Sequence, residues 1–242
     1  LAVEVEGLRY TYPGAERPAL ANIAFRLAPG ARVAVTGPDG SGETTLLAAV
    51  SGLLDGVEGT VLLDGMTLRD LEPAAVRDRI GVVLGSAGLF EGTIEDNVTL
   101  GRAGLGTAAV VEALSRVGAH ATVQRLPDGL RTVIENGGRG LPSTLRVRLL
   151  LARAIVHQPR FLLVDECLAT VEPAARQELI DVLTAPDAPW TLLIVSHTRD
   201  LLAACDRVLV LRAGEVVADA PWAVVMRLPE VASLLPSARS AG

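Results

Sequence analysis

The 242-residue sequence contains no lysine: all 22 of its basic residues are arginine. Chemistry that needs a side-chain primary amine is therefore excluded. Cysteine is scarce as well. Cys167 and Cys205 are the whole complement, which rules out a disulfide framework and suits a reducing compartment. Positive charge is in deficit. The net charge is −6 and the isoelectric point about 5.2, which argues against nucleic acid as a partner. Long apolar runs are also missing. Mean hydropathy is high at +0.39, yet no run approaches the roughly 18–20 residues that span a bilayer. The richest stretches, Phe161–Val164 and Trp190–Val195, have the length of buried parallel strands. The first residues do not read as a secretory leader. The sequence starts at Leu1 rather than Met, and the expectation is a piece of a longer polypeptide whose membrane-spanning part lies elsewhere.

Half the residues are hydrophobic and 21% are charged, which excludes whole-chain disorder and supplies enough apolar surface for a full core. Residues 1–36 read as short strands broken at Pro13-Gly14 and Pro29-Gly30. Ala31–Val35 is a strand, and Thr44–Leu53 reads as a helix. Thr60–Leu63 and Ile80–Leu84 are further strands. From about Ile94 to His157 the strand signal vanishes, and helical periodicity marks Ala108–Val117 and Leu145–Val156. Strands resume at Phe161–Asp165 and Trp190–Ser196, separated by a helix at Pro173–Leu183. Asp206–Val210 and Glu215–Ala218 suggest a closing hairpin. The alternation predicts a mostly parallel sheet interrupted by a helical insert. The tail after about Pro229 is expected to fray.

Between the strand at 31–35 and the following helix lies Gly37-Pro38-Asp39-Gly40-Ser41-Gly42-Glu43-Thr44-Thr45. Strand, glycine turn and helix together make backbone N–H groups converge on a phosphate, with the helix dipole favouring the anion. Thr44 stands where a hydroxyl would meet a nucleotide-bound Mg²⁺. The P-loop pattern asks for lysine where this chain has Glu43, so a carboxylate faces the polyanion. An ordinary glycine-rich turn is the competing reading of the loop alone. Two further strand tips carry polar groups: Asp165-Glu166 after Phe161–Val164, and Ser196-His197 after Leu192–Val195. Ligands of parallel α/β sheets bind at such tips. In that setting Asp165 would hold Mg²⁺ through water and Glu166 would polarise an attacking water. His120 and His157 lack metal spacing and read as structural.

With these pieces in order, nearly the whole chain resembles the nucleotide-binding domain of an ATP-binding cassette (ABC) transporter. Tyr10-Thr11-Tyr12-Pro13-Gly14 resembles the family's aromatic loop, in which Tyr12 would stack on adenine. Gly88 to Asn97 is similar to the segment where exporter-type members meet their membrane domains. Leu126-Pro127-Asp128-Gly129 through Glu135-Asn136-Gly137, and Leu149–Ile155, match the stretches flanking the family signature. The resemblance implies an α/β P-loop NTPase (RecA-like) core with an N-terminal antiparallel β subdomain, all within 1–242. A helical subdomain is inserted at about 86–158, and a tail runs from about 229. It implies ATP and Mg²⁺ as ligands, Glu166 and His197 as catalytic groups, and Thr44 and Asp165 at the metal. It also implies a second nucleotide-binding domain as partner, an exporter's transmembrane domain fused N-terminally, and a place at the cytoplasmic face of the membrane.

Four departures qualify the resemblance. Glu43 replaces the loop lysine. Where the family has Leu-Ser-Gly-Gly-Gln, this chain has Leu141-Pro142-Ser143-Thr144-Leu145; both glycines are lost and Pro142 removes a donor. Ser143 stands one step out of register and is expected to cap the next helix. The glutamine of the family's Q-loop aligns with Gly85, and the aspartate of its D-loop with Glu172. Family domains pair head to tail, each nucleotide lying between one loop and the other domain's signature. Glu43 and Gly85 then weaken this chain's own site, and Pro142 to Leu145 weaken the partner's. Two expectations follow: a weakly binding, energy-coupling exporter domain in a heterodimer rather than a homodimer, or a pseudo-ATPase that keeps the pairing surface without turnover.

Overall fold

In a computed structural model, residues 1–228 are described; the expected tail from about 229 lies outside them. The chain opens with β1 (Val3–Tyr10), β2 (Leu20–Leu27) and β3 (Arg32–Thr36), then α1 (Glu43–Val50), β4 (Glu58–Leu63), β5 (Met66–Thr67), α2 (Pro73–Arg79) and β6 (Ile80–Val83). The middle is β7 (Gly92–Thr93), α3 (Ile94–Thr99), α4 (Thr107–Arg116), α5 (His120–Gln124), β8 (Val133–Ile134) and α6 (Ser143–Ile155). It closes with β9 (Phe161–Asp165), α7 (Pro173–Leu183), β10 (Thr191–Val195), α8 (Arg199–Ala204), β11 (Arg207–Arg212), β12 (Glu215–Ala220) and α9 (Trp222–Val225).

Three sheets form among the described residues. The main sheet has the order β12-β11-β3-β10-β9-β6, and all its pairings are parallel except β11 with β12. An antiparallel sheet, β2-β1-β4-β5, lies on one side of it. Between their polar ends the central strands are apolar, because both faces are covered. Leu162 and Val164 of β9 face one core, shared with α6 and α7. Phe161 and Leu163 face the other, shared with α1 and the antiparallel sheet. Helix α1 is clamped between the two sheets, so Leu46, Leu47 and Val50 are fully buried, and its sequence needs no polar face. It ends at Val50, short of the expected Leu53, because Gly52 turns the chain at φ +75.

The helical insert is confirmed with one correction: Val133–Ile134 pairs with Gly92–Thr93 as a two-stranded ribbon. Two residues carry no periodicity, so neither strand was legible. The ribbon leads into α3 through a capping box, with Thr93 Oγ1 accepting from Asp96 N at 3.0 Å and Asp96 Oδ2 accepting from Thr93 N at 3.0 Å. Arg153 of α6 fixes this region to the rest. Its guanidinium donates to Asn97 O (2.7 Å), Asn97 Oδ1 (2.8 Å) and Gly88 O (2.9 Å), and lies 5.5 Å from the Phe90 ring centroid. No helix among the described residues is long and apolar enough to cross a membrane.

Candidate functional site

Parallel register decides which residues meet. Val195 pairs with Asp165 and with Val35, and Val83 pairs with Val164. The C-terminal tips of β3, β6, β9 and β10 therefore lie side by side. They carry Thr36 with the glycine loop, Gly85, Asp165-Glu166 and Ser196-His197. This is the edge at which such sheets bind ligands.

Glu166 leaves β9 at φ +44, a left-handed conformation that costs a non-glycine residue about 1–2 kcal/mol. Its amide is held by Val195 O at 3.2 Å. The turn brings Glu166 Oε1 to 2.7 Å from His197 Nε2. The other ring nitrogen, Nδ1, lies 3.2 Å from Thr36 Oγ1. A proton on Nε2 is donated to Glu166, and Nδ1 faces the Thr36 hydroxyl, which can donate or accept. Sequence reasoning named Glu166 and His197 but missed Thr36, whose only signal was a polar residue closing an apolar strand. Asp165 is buried, and its Oδ2 lies 3.4 Å from the amide of Gly85. A Cβ at Gly85 would meet Asp165 Oδ2 at 3.5 Å, an ordinary contact.

In the loop, Gly37 and Gly42 are required by the fold whatever binds there. A Cβ on Gly37 would collide with the Leu211 carbonyl and sit 2.5 Å from Ser41 Oγ; one on Gly42 would lie 2.5 Å from Ala19 O at φ +106. Gly40, at φ +78 with nothing near its missing Cβ, faces open space beside exposed Asp39. Thr44 is exposed. Thr45 is buried, with its Oγ1 3.1 Å from the hydroxyl of Tyr12. That contact, with an edge-on packing of Tyr10 and Tyr12 at 4.9 Å between centroids, holds the exposed aromatic of the N-terminal loop against the start of α1.

Glu43 is 8% exposed and Ser41 is 2% exposed; Glu43 Oε1 and Ser41 Oγ are both buried without a hydrogen-bond partner. A carboxylate at the first position of a helix benefits from the dipole, but sequence reasoning could not tell that this one is folded inward. For Mg²⁺, the available donors are oxygens: the Thr44 hydroxyl and the Asp165 carboxylate, at the same edge. That set fits a hard cation that keeps several waters and takes phosphate oxygens as its remaining ligands. Among the described residues no cluster of three or more His, Cys, Asp or Glu side chains exists to hold a metal by itself.

The segment Leu141–Leu145 brings a second correction. Pro142, not Ser143, stands at the N-cap of α6, with ψ 142, and no side chain caps the helix. Ser143 instead donates its hydroxyl to Thr170 O at 3.1 Å. Leu141 and Thr144 are half-buried, and Leu145 is 4% exposed within the core. Glu172 is exposed one residue before Pro173 opens α7. A cavity of about 270 Å³ joins several of these positions, lined among others by Gly85, Ser143, Arg146, Glu166 and Thr170.

The sequence family described as ABC transporter matches residues 20–169. Across 218 residues, 90% of this chain, it is 37% identical to the mycobactin import ATP-binding/permease protein IrtB of Mycolicibacterium thermoresistibile. It is 33% identical over 217 residues to the ATP-dependent lipid A-core flippase of Burkholderia orbicola. The fold superposes on a bacterial Atm1-family ABC exporter solved with ATP bound, with a TM-score of 0.86 and 27% identity, covering 93% of this chain and 39% of that one. The chain spans little more than a third of the length of these curated relatives, 37% and 36%. By family match and by fold, the chain belongs to the ABC transporter family as a nucleotide-binding domain of exporter type.

Proposed function

We propose that this chain couples Mg-ATP binding and hydrolysis to transport through a membrane domain. In this reading it sits at the cytoplasmic face of the membrane in head-to-tail pairing with a second nucleotide-binding domain. The observation that carries this reading is the 2.7 Å contact of Glu166 with His197, backed by Thr36. Three side chains from three strand tips converge there, with Glu166 held in a left-handed conformation at φ +44. The roles follow from placement. Glu166 orients and polarises the attacking water, and His197 fixes the Glu166 carboxylate and stands at the edge where the outer phosphate would lie. Asp165 and Thr44 would hold Mg²⁺, which supplies charge neutralisation at the phosphates when bound. Tyr12 offers its exposed ring to the base.

Glu43 weakens the phosphate grip, and Pro142 to Leu145 weaken what this domain offers a partner's nucleotide. A heterodimer with an intact second domain therefore fits better than two copies of this chain. The same substitutions favour a second reading, a pseudo-ATPase that pairs but does not turn over. The two separate on one experiment. Glu166→Gln, assayed with the partner domain present, is expected to lower ATPase activity by about a hundredfold or more, the scale of losing a general base. Unchanged activity would establish the pseudo-ATPase.

A further inference from the structure

Glu43 and Ser41 present an unresolved electrostatic problem. Each carries a polar oxygen that is buried and unpartnered. Leaving such a group unpaired is costly, and more so when it is charged. Oε1 of Glu43 accepts no hydrogen bond from the loop amides. No ion pair to Glu43 exists among the described residues. Ser41 is directed into the loop. Its Oγ lies where a Cβ on Gly37 would be 2.5 Å away, its N–H donates to Pro38 O at 3.0 Å, and its carbonyl accepts from Gly214 at 3.0 Å. The backbone of Ser41 is thus satisfied, and the hydroxyl is the free group.

We infer that Glu43 and Ser41 are half of a divalent-cation site that a nucleotide polyphosphate completes, so that this loop grips phosphate through a second metal ion in place of a lysine. The inference rests on the reading that the loop binds nucleotide. Charge supports it: a glutamate with a divalent ion carries +1 together, the charge that a lysine would have placed there. Donor chemistry supports it too. A carboxylate, a hydroxyl, phosphate oxygens and waters form the hard-oxygen set that Mg²⁺ and Mn²⁺ prefer. One carboxylate is too few to retain the ion without phosphate, so cation and nucleotide bind together. This ion is distinct from the one expected at Thr44 and Asp165.

Equilibrium dialysis of the full chain against labelled ATP and Mn²⁺ tests it. The native chain is expected to retain two Mn²⁺ per ATP and Glu43→Lys one. Once all ATP is already Mg-ATP, each further tenfold rise in free Mg²⁺ should raise native affinity about tenfold by linkage. Glu43→Lys should be flat, and Ser41→Ala should require more metal for the same affinity. One Mn²⁺ per ATP in the native chain, with affinity independent of free metal, would overturn the inference while leaving nucleotide binding intact. So would affinity that climbs with protein concentration but not with metal, which would assign the missing charge to a basic side chain of another copy. Native chain that binds no ATP at any metal level, while Glu43→Lys binds it, also overturns the inference and spares the loop reading. If folded Glu43→Lys binds none either, the loop reading itself fails and takes the inference with it.

Discussion

Replacing Glu43 with lysine should raise ATP affinity at least tenfold when free Mg²⁺ is kept low. The lysine ammonium would add a charge-assisted hydrogen bond to phosphate, worth about 1.5–3 kcal/mol. Removing the carboxylate lifts a like-charge repulsion of about 1–4 kcal/mol at about 4 Å, between bulk water and a surface-like dielectric. Glu43 is 8% exposed, which places the second effect toward its upper range. Together they amount to about two to five decades of affinity at about 1.4 kcal/mol per decade. Rotation of the glutamate away from the phosphates reduces this, and tenfold is the floor. The lysine forfeits a favourable interaction of about 0.3–1 kcal/mol with the helix N-terminus, so a small loss of unliganded stability accompanies the gain. Glu43→Gln isolates the repulsion and should recover only part of it. Calorimetric titration of Mg-ATP into the three proteins reads the differences directly. Equal affinities across folded variants would refute the reasoning, because a loop that presents its amides to phosphate cannot be indifferent to a two-unit change of charge at its centre.

The loop glycines should rank by geometry in thermal unfolding: Gly40→Ala mildest, at about 1–2 kcal/mol for its left-handed backbone, and Gly37→Ala worse for its backbone collision. Gly42→Ala is expected to be worst, since it combines φ +106 with a carbonyl 2.5 Å away. Burial, reinforced by Asp165, pushes the Cys167 thiol up to about 12; burial and Asp206 do the same for Cys205. Iodoacetamide at pH 8 should therefore leave both thiols unmodified in the folded chain and alkylate both after denaturation. Burial, with nearby Arg102, lowers the pKa of His157 from its ordinary 6.5. The unfolded chain then binds the proton more readily, so stability should fall as pH drops below about 6.5. His157→Gln should flatten that slope in denaturant melts.

How far the sequence could be read depended on whether one residue's environment is set locally. Strand β9 was legible because an apolar run ends in two carboxylates, and α7 because Pro173 fits the first helical position. The facing of Glu166 and His197 followed from two such strand tips. Ser143 was misread because a serine near a helix start usually caps it, whereas Pro142, with its fixed φ, had already taken the N-cap and freed the hydroxyl for Thr170. The inward fold of Glu43 was illegible for a different reason. A long charged side chain at a helix start ordinarily reaches water, whereas this one is 8% exposed.

That distinction bears on whether the signature can be restored by reversion. Pro142, Ser143 and Thr144 are exposed or half-buried, and replacing them with Ser, Gly and Gly meets no core constraint. Leu145 differs, since it is 4% exposed and packs in the same core as Leu149, Val164 and Leu168. Leu145→Gln would place an amide among apolar side chains, at a cost of about 1–3 kcal/mol for an unpaired polar group with further loss of packing. In a chain of this size that corresponds to a fall in melting temperature of roughly 2–4 °C per kcal/mol. The triple change Pro142→Ser, Ser143→Gly and Thr144→Gly is expected to melt within a few degrees of native, and the quadruple change including Leu145→Gln well below it. A quadruple variant as stable as the triple would mean that α6 rotates to expose position 145, and the packing argument would fail. The expected gap means instead that position 145 belongs to the core beneath α6, so the family's glutamine cannot be placed there by changes at the surface alone.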